Sequence, residues 1–204
     1  MAQCAPTTLG PYAKARRSRV TCQELRRCAK DVLIKDATRT VDIEELKTRV
    51  GTRIGTSDWV EVGQDRIDMF ADTTLDHEPI HVDPQAARDL GFGQTIAHGF
   101  LTLSLLAPFY KSGYPKIDRR SYGLNYGLNK VRFLAPVKSG KRVRGHFTLI
   151  DMVEKQPHRY QLTSEVSVEI EGEDKPALVA EWLTFVEIEP QPPEPQEKSG
   201  QYHA

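Results

Sequence analysis

No stretch of this chain is apolar for long enough to cross a bilayer. The longest apolar run, around Phe100 to Tyr110, is about half of the ~20 residues a spanning helix needs. Cysteine is scarce and confined: Cys4, Cys22 and Cys28 are the three in 204 residues. An odd number bunched near one end supplies no disulfide framework for the rest, which fits a reducing compartment. Five residues lie between Cys22 and Cys28, more than the roughly two to four of a zinc pair, so they read as ordinary thiols. An excess of one charge is missing too. The 28 basic and 28 acidic residues balance, and a net charge of zero offers no global attraction to nucleic acid or to an anionic membrane. Acids are absent locally: none precedes Glu24, and residues 1–35 hold eight basic side chains against two acidic ones. Such an Arg-rich stretch is either a transit peptide or a poorly ordered extension, and it lacks the apolar core of a secretory signal. A cytoplasmic protein is expected, with organellar import as the alternative.

What is present organises into three parts. Residues 1–39 form the basic extension, 40–189 a domain, and 190–204 a tail with four prolines and almost nothing apolar, expected to be disordered. Within the domain, Asp42 can cap a helix over Glu45 to Val50 that Gly51 stops. Gly63-Gln64-Asp65 opens a second, with Ile67, Phe70 and Ala71 on one face. An irregular stretch is expected from Thr73 to Pro84, then a short helix from Gln85 to Leu90 begun by Asp83-Pro84. Ala97 to Tyr110 is apolar on nearly all sides, the pattern of a buried helix. After residue 120 the period becomes that of strands. Tyr160, Leu162, Ser164, Val166, Val168 and Ile170 alternate with polar residues, as do Val143, Gly145, Phe147 and Leu149. Tyr122 to Phe133 makes another strand. Leu178 to Ile188 is apolar on both faces, which places it nearer the sheet centre. Antiparallel strands wrapped around one long buried helix, an α+β fold, follow from this order.

The densest chemistry lies in Asp76-His77-Glu78-Pro79-Ile80-His81-Val82-Asp83-Pro84. Asp76 and His81 are five apart, so a regular strand would point them to opposite faces and a helix would set them about 140° apart. They converge only in an irregular segment, and Pro79 enforces one by fixing its own φ and pushing Glu78 out of the helical region. Imidazole beside carboxylate suits proton transfer near neutral pH. A solvated surface loop is the alternative. His77 and His81 have the spacing of helical zinc ligands, but Pro79 between them argues against that helix, so no metal is expected.

Gly99 stands where the buried helix begins. Its N–H is open to an approaching carbonyl, as an oxyanion donor must be, and the lack of a side chain equally allows close packing on a strand. His98 is either a third catalytic group or a partly buried residue that holds the loop. Ser104 either lines a pocket or bonds back to the preceding turn.

Three blocks, Asp76 to Pro84, Gly91-Phe92-Gly93-Gln94-Thr95-Ile96-Ala97-His98-Gly99-Phe100-Leu101, and Asn125-Tyr126-Gly127-Leu128-Asn129-Lys130-Val131-Arg132-Phe133, resemble the MaoC-like dehydratases, and within them the NodN-like branch. The resemblance spans about residues 45–150 and implies a hot dog fold, usually dimeric. It implies (R)-specific enoyl-CoA hydratase chemistry on an acyl-CoA or acyl carrier protein thioester, with Asp76 and His81 catalytic and no metal or redox cofactor. Asp76, Pro79, Ile80 and His81 match the family's Asp-x-Asn-Pro-aliphatic-His motif, whereas Glu78 replaces its Asn. Gly99 matches the glycine that serves the oxyanion. Asn125, which opens the third block, joins His98 and Ser104 as a candidate substrate contact. Ala107 stands where some of these hydratases have Ser. Lys130, Arg132, Lys138, Lys141, Arg142 and Arg144 are candidates for the phosphates of coenzyme A. A thioesterase on the same fold and a non-catalytic acyl-CoA-binding subunit are the competing functions.

Overall fold

The computed structural model describes residues 39–191. The expectations for the basic extension, its three cysteines and the Pro-rich tail lie outside these residues. The chain begins with strand β1 (Thr40–Val41) and helix α1 (Ile43–Thr48), where the Asp42 carboxylate accepts from the Glu45 N–H at 2.7 Å. A side-chain acceptor at this position satisfies one of the orphan donors of the first turn. Strands β2 (Arg53–Thr56) and β3 (Val60–Val62) follow; neither was anticipated, because both are too short to show a period. Helix α2 (Gln64–Thr74) buries Ile67 and Ala71 with Phe70 half-buried beside them.

The stretch expected to be irregular is more ordered than that. Helix α2 runs on to Thr74, and Pro79–Val82 closes one helical turn, α3, leaving only 75–78 as loop. Proline suits the first position of a helix, since the N–H it lacks would go unpaired there. Asp83 then caps α4 (Pro84–Asp89), and Gly91 turns the chain at φ +85°.

The central helix is in two pieces, α5 (Gly99–Ser104) and α6 (Leu106–Gly113). Pro108 accounts for the break. It has no N–H to give to the Ser104 carbonyl, and its ring crowds that carbonyl. The Leu105 N–H is shared between the Leu101 and Thr102 carbonyls, each at 3.3 Å. Nor is this helix buried on every side. Leu101, Leu105, Leu106 and Phe109 face the core, but Phe100 is 68% exposed and Ala107 is also open.

Strand β4 (Lys116–Ile117) pairs in parallel with β1. The main sheet is antiparallel, in the order β2, β6, β7, β8, β5, with β3 also on β6. Its long members are β5 (Arg120–Phe133), β6 (Lys141–Gln156), β7 (Arg159–Ile170) and β8 (Leu178–Ile188). Strand β8 lies between β7 and β5, and its side chains largely alternate between buried and half-buried. The alternating residues of β6 and β7 point inward as their period requires, and Phe147, Leu149, Leu162 and Val166 are fully buried. Phe109 of α6 presses on this face at Gly145, where a Cβ would stand 3.0 Å from the Phe109 side chain. Gly55 lets β2 meet the helix end, because a Cβ there would overlap the Gly113 carbonyl oxygen. No helix among the described residues is long and apolar enough to cross a membrane.

Candidate active site

The site begins where α2 ends. Leu75 takes the left-handed conformation at φ +61° and the Asp76 N–H donates to the Ala71 carbonyl, which turns the chain back across the helix. Pro79 starts α3 three residues later, so Asp76 and His81 project from two conformations and can meet. The turn is held from outside. The Ile96 N–H donates to the Ile80 carbonyl at 3.1 Å, and the Ala97 N–H donates to Val137 at 2.7 Å. Segment 95–97 thus lies between the His81 turn and the 135–139 loop.

His81 is buried, and its Nδ1 sits 2.7 Å from the Ile96 carbonyl. A carbonyl only accepts, so Nδ1 carries a hydrogen, and in the neutral imidazole Nε2 is the nitrogen that keeps the lone pair. His98 is 2% exposed; its Nε2 donates to the backbone carbonyl of Asp76 at 2.9 Å, and its ring stacks on His81 with centroids 3.8 Å apart. His98 therefore ties the Asp76 turn to the start of α5 and fixes the plane of the His81 ring. The Asp76 side chain is 47% exposed, with one carboxylate oxygen 4.0 Å from His98 Nε2. A carboxylate oxygen of Asp76 and one ring nitrogen from each histidine all lie within 4.8 Å of one another.

Three such groups raise the question of a metal. The histidine rings are stacked with their planes inclined by 30°. One nitrogen of each is already bonded to a carbonyl. The set is better arranged for proton transfer. His77 is turned away: its Nε2 lies 2.9 Å from Asp72, on the outer side of α2.

Gly99 is the first residue of α5 and lines, with His81, a cavity of about 270 Å³. Thr102, Phe133 and Ala177 complete much of its wall. A Cβ on Gly99 would stand 3.0 Å from the Phe133 ring, so the bare backbone allows the start of α5 to pack closely against the end of β5. Ser104 and Asn125 are not in this cavity. They line a separate hollow of about 190 Å³ between the central helix and β5, and the Ser104 hydroxyl donates back to Phe100 at 2.8 Å. Ala107, Asn125 and Trp182 are shared by that hollow and a larger neighbour of about 400 Å³.

Two residues near the site escaped sequence reasoning. Gln64, at the start of α2, donates through Nε2 to the His81 carbonyl at 2.8 Å and accepts from the buried Thr95 hydroxyl. Phe133 was seen only as the end of a strand. Neither carries a local signal, since each matters through partners far away in the chain.

A sheet curled around a central helix, with ionisable groups gathered at that helix's start, is a hot dog fold of the α+β class. The structure of a MaoC-like dehydratase from Rhodospirillum rubrum superposes with a TM-score of 0.62 at 22% identity, covering 74% of this chain and 99% of that one. The chain belongs to the MaoC-like dehydratase family, whose model, described as MaoC like domain, matches residues 45–171. It is 49% identical to Nodulation protein N of Rhizobium leguminosarum bv. viciae over 151 residues, 74% of this chain and 94% of that protein. It is 45% identical to 3-hydroxyacyl-thioester dehydratase Z of Mycobacterium tuberculosis over 139 residues, 68% of this chain and 91% of the other.

Proposed function

We propose that the protein interconverts a trans-2-enoyl thioester and an (R)-3-hydroxyacyl thioester. The observation that carries this reading is the meeting of the Asp76 carboxylate with the His81 imidazole, whose Nδ1 is committed to the Ile96 carbonyl, beside the cavity that Gly99 lines. In hydration, Asp76 and His81 hold a water above the double bond. Its oxygen bonds to C3 as a proton passes to His81 Nε2. The electron pair of the double bond moves toward the thioester oxygen, where the Gly99 N–H donates. A proton delivered to C2 by the pair restores the carbonyl and leaves both side chains as they began. Dehydration runs the same steps in reverse. No metal or redox cofactor enters this scheme, and turnover is expected to persist in a chelator. Membership of a dehydratase family and the likeness to a 3-hydroxyacyl-thioester dehydratase support the reading.

The same reading includes a homodimer. Strand β5 is an edge of the sheet and is exposed along nearly all of its length, with Tyr122, Leu124, Tyr126 and Leu128 at 40% or more. An apolar edge strand of this length is left open only at a cost in solubility. The open face of α5 and α6, with Phe100 and Ala107, adjoins it. A second copy is the occupant that would cover both.

The test is hydration of crotonyl-CoA, followed by loss of enoyl absorbance and by chiral analysis of the product. Removing a positioned acid or base costs about 10²- to 10⁴-fold in rate. Asp76→Asn and His81→Ala are each expected to lose activity on that scale while remaining folded. Undiminished hydration in both, or release of free thiol in place of hydration, refutes the assignment.

A further inference from the structure

The thioester reading leaves open where the phosphates of the acyl carrier would be held, and the structure sorts the six cations that the sequence offered. Arg142 pairs with Glu171, Arg144 with Glu169 at 2.7 Å, Lys130 with Glu181 at 3.4 Å and Lys141 with Glu173 at 3.1 Å. Arg132 donates to the neighbouring Val131 carbonyl. Lys138 has no ion pair among the described residues, and neither does Lys175.

These two lysines are far apart in sequence yet line one small cavity, of about 150 Å³. Lys141 and Glu173 also line it, so its wall holds three cations against one anion. The cavity shares Ala135 and Pro136 with the one that contains His81 and Gly99. Both residues precede Lys138 in the 135–139 loop. Lys138 is itself bridged to Ile96, whose carbonyl orients His81. Gly99 is three residues on from Ile96, a span of at most about 11 Å. A group held by the Lys138 side chain would therefore sit at the distance of a linking arm from the reacting carbons.

We infer that Lys138 and Lys175 form the subsite for a phosphate of the pantetheine arm, with the arm crossing Ala135 and Pro136 on its way to His81. The inference rests on the thioester reading above. The chemistry recognised is a phosphate ester joined to pantetheine, which coenzyme A and a carrier-protein prosthetic group share. Flexible ammonium groups bind such a phosphate as point charges without demanding a fixed orientation.

The experiment is calorimetric binding of three ligands, coenzyme A, 4′-phosphopantetheine and phosphate-free pantetheine, to the full chain. The variants are Lys138→Glu, Lys175→Glu and the exposed Lys155→Glu as a charge-matched control. Each charge reversal at the subsite is expected to weaken coenzyme A by about three- to tenfold, since it replaces a surface attraction by a repulsion. Pantetheine binding is expected to be unchanged, and so is every affinity in Lys155→Glu. Equal weakening of coenzyme A and 4′-phosphopantetheine assigns the subsite to the phosphate that both carriers have. Weakening of coenzyme A alone places the contact on a nucleotide-side phosphate and overturns the assignment to the pantetheine arm. Unaltered affinities for all three ligands, or the same loss in Lys155→Glu, overturn the proposal. Turnover of crotonyl-CoA is measured alongside. Its absence with these binding differences intact sinks the hydratase reading and leaves the phosphate subsite standing.

Discussion

Replacing Gln64 by Ala isolates the effect of positioning His81 from that of removing it. The Gln64 side chain spans two segments, accepting from the Thr95 hydroxyl and donating to the His81 carbonyl. Thr95 is 3% exposed, so truncation strands its hydroxyl away from water. A buried polar group left unpaired costs about 1–3 kcal/mol. For a chain of this size that corresponds to a fall in Tm of roughly 2–4 °C per kcal/mol, or about 4–8 °C for a loss near the middle of the range. The catalytic consequence is separate. The His81 turn would lose its tie to α2 and keep the Ile80 and Ile96 carbonyl bonds and the stacked His98 ring. A misplacement of about 1 Å in a catalytic group can cost 10²-fold, so kcat is expected to fall by about tenfold or more with KM little changed. Gln64→Glu keeps an acceptor for Thr95 and loses the donor to His81. It should recover most of the Tm and little of the kcat. Calorimetry and steady-state hydration of crotonyl-CoA read the two effects. A Gln64→Ala protein with the parent's Tm and kcat would refute the role given to this side chain.

Three further outcomes are expected. Gly99→Ala places a methyl 3.0 Å from the Phe133 ring; kcat should fall while a second change, Phe133→Ala, restores stability but not rate, and recovery of rate would show that only packing was disturbed. His146 is held below the usual histidine range by burial, which outweighs the bond between its Nε2 and Glu169 at 2.6 Å. The unfolded chain therefore binds this proton more readily, so the associated stability is present above about pH 6.5 and is lost as pH falls through that value toward the depressed one. Thermal melts of His146→Gln should accordingly lose less Tm between neutral and mildly acidic pH than the parent does, and parallel curves would contradict this. Leu124→Lys places a charge on the exposed face of β5; light scattering should report the proposed dimer for the parent and a monomer for the variant, and an unchanged mass would remove β5 from the interface.

Much of the architecture was readable because its causes are local. The period-two alternation of Tyr160 to Ile170 determines which side chains of β7 face the core, since successive residues of a strand point to opposite sides. Asp42 and Asp83 cap their helices within three residues of themselves. Pro79 ensures that Asp76 and His81 do not share one regular element, again within one turn. Pro108 carried the break in the central helix, a signal the apolar run around it obscured. That run also implied burial on all sides, whereas the open face holding Phe100 and Ala107 depends on what the chain packs against.

The pairing of Asp76 with His81 was a possibility in the sequence, and only the tertiary structure decided its form. His98 reaches back 22 residues to the Asp76 carbonyl, and Ile96 orients His81 from 15 residues away. Gln64 braces the turn across 17 residues, and Phe133 closes the cavity from the far end of β5. The same packing drew Ser104 and Asn125 into a different hollow and brought Lys138 and Lys175 to one cavity. Periodicity and capping act over one or two turns, so a sequence displays them directly. The direction of a ring nitrogen or the partner of a lysine is determined by contacts between segments brought together when the core is buried, and no short stretch of sequence records those contacts.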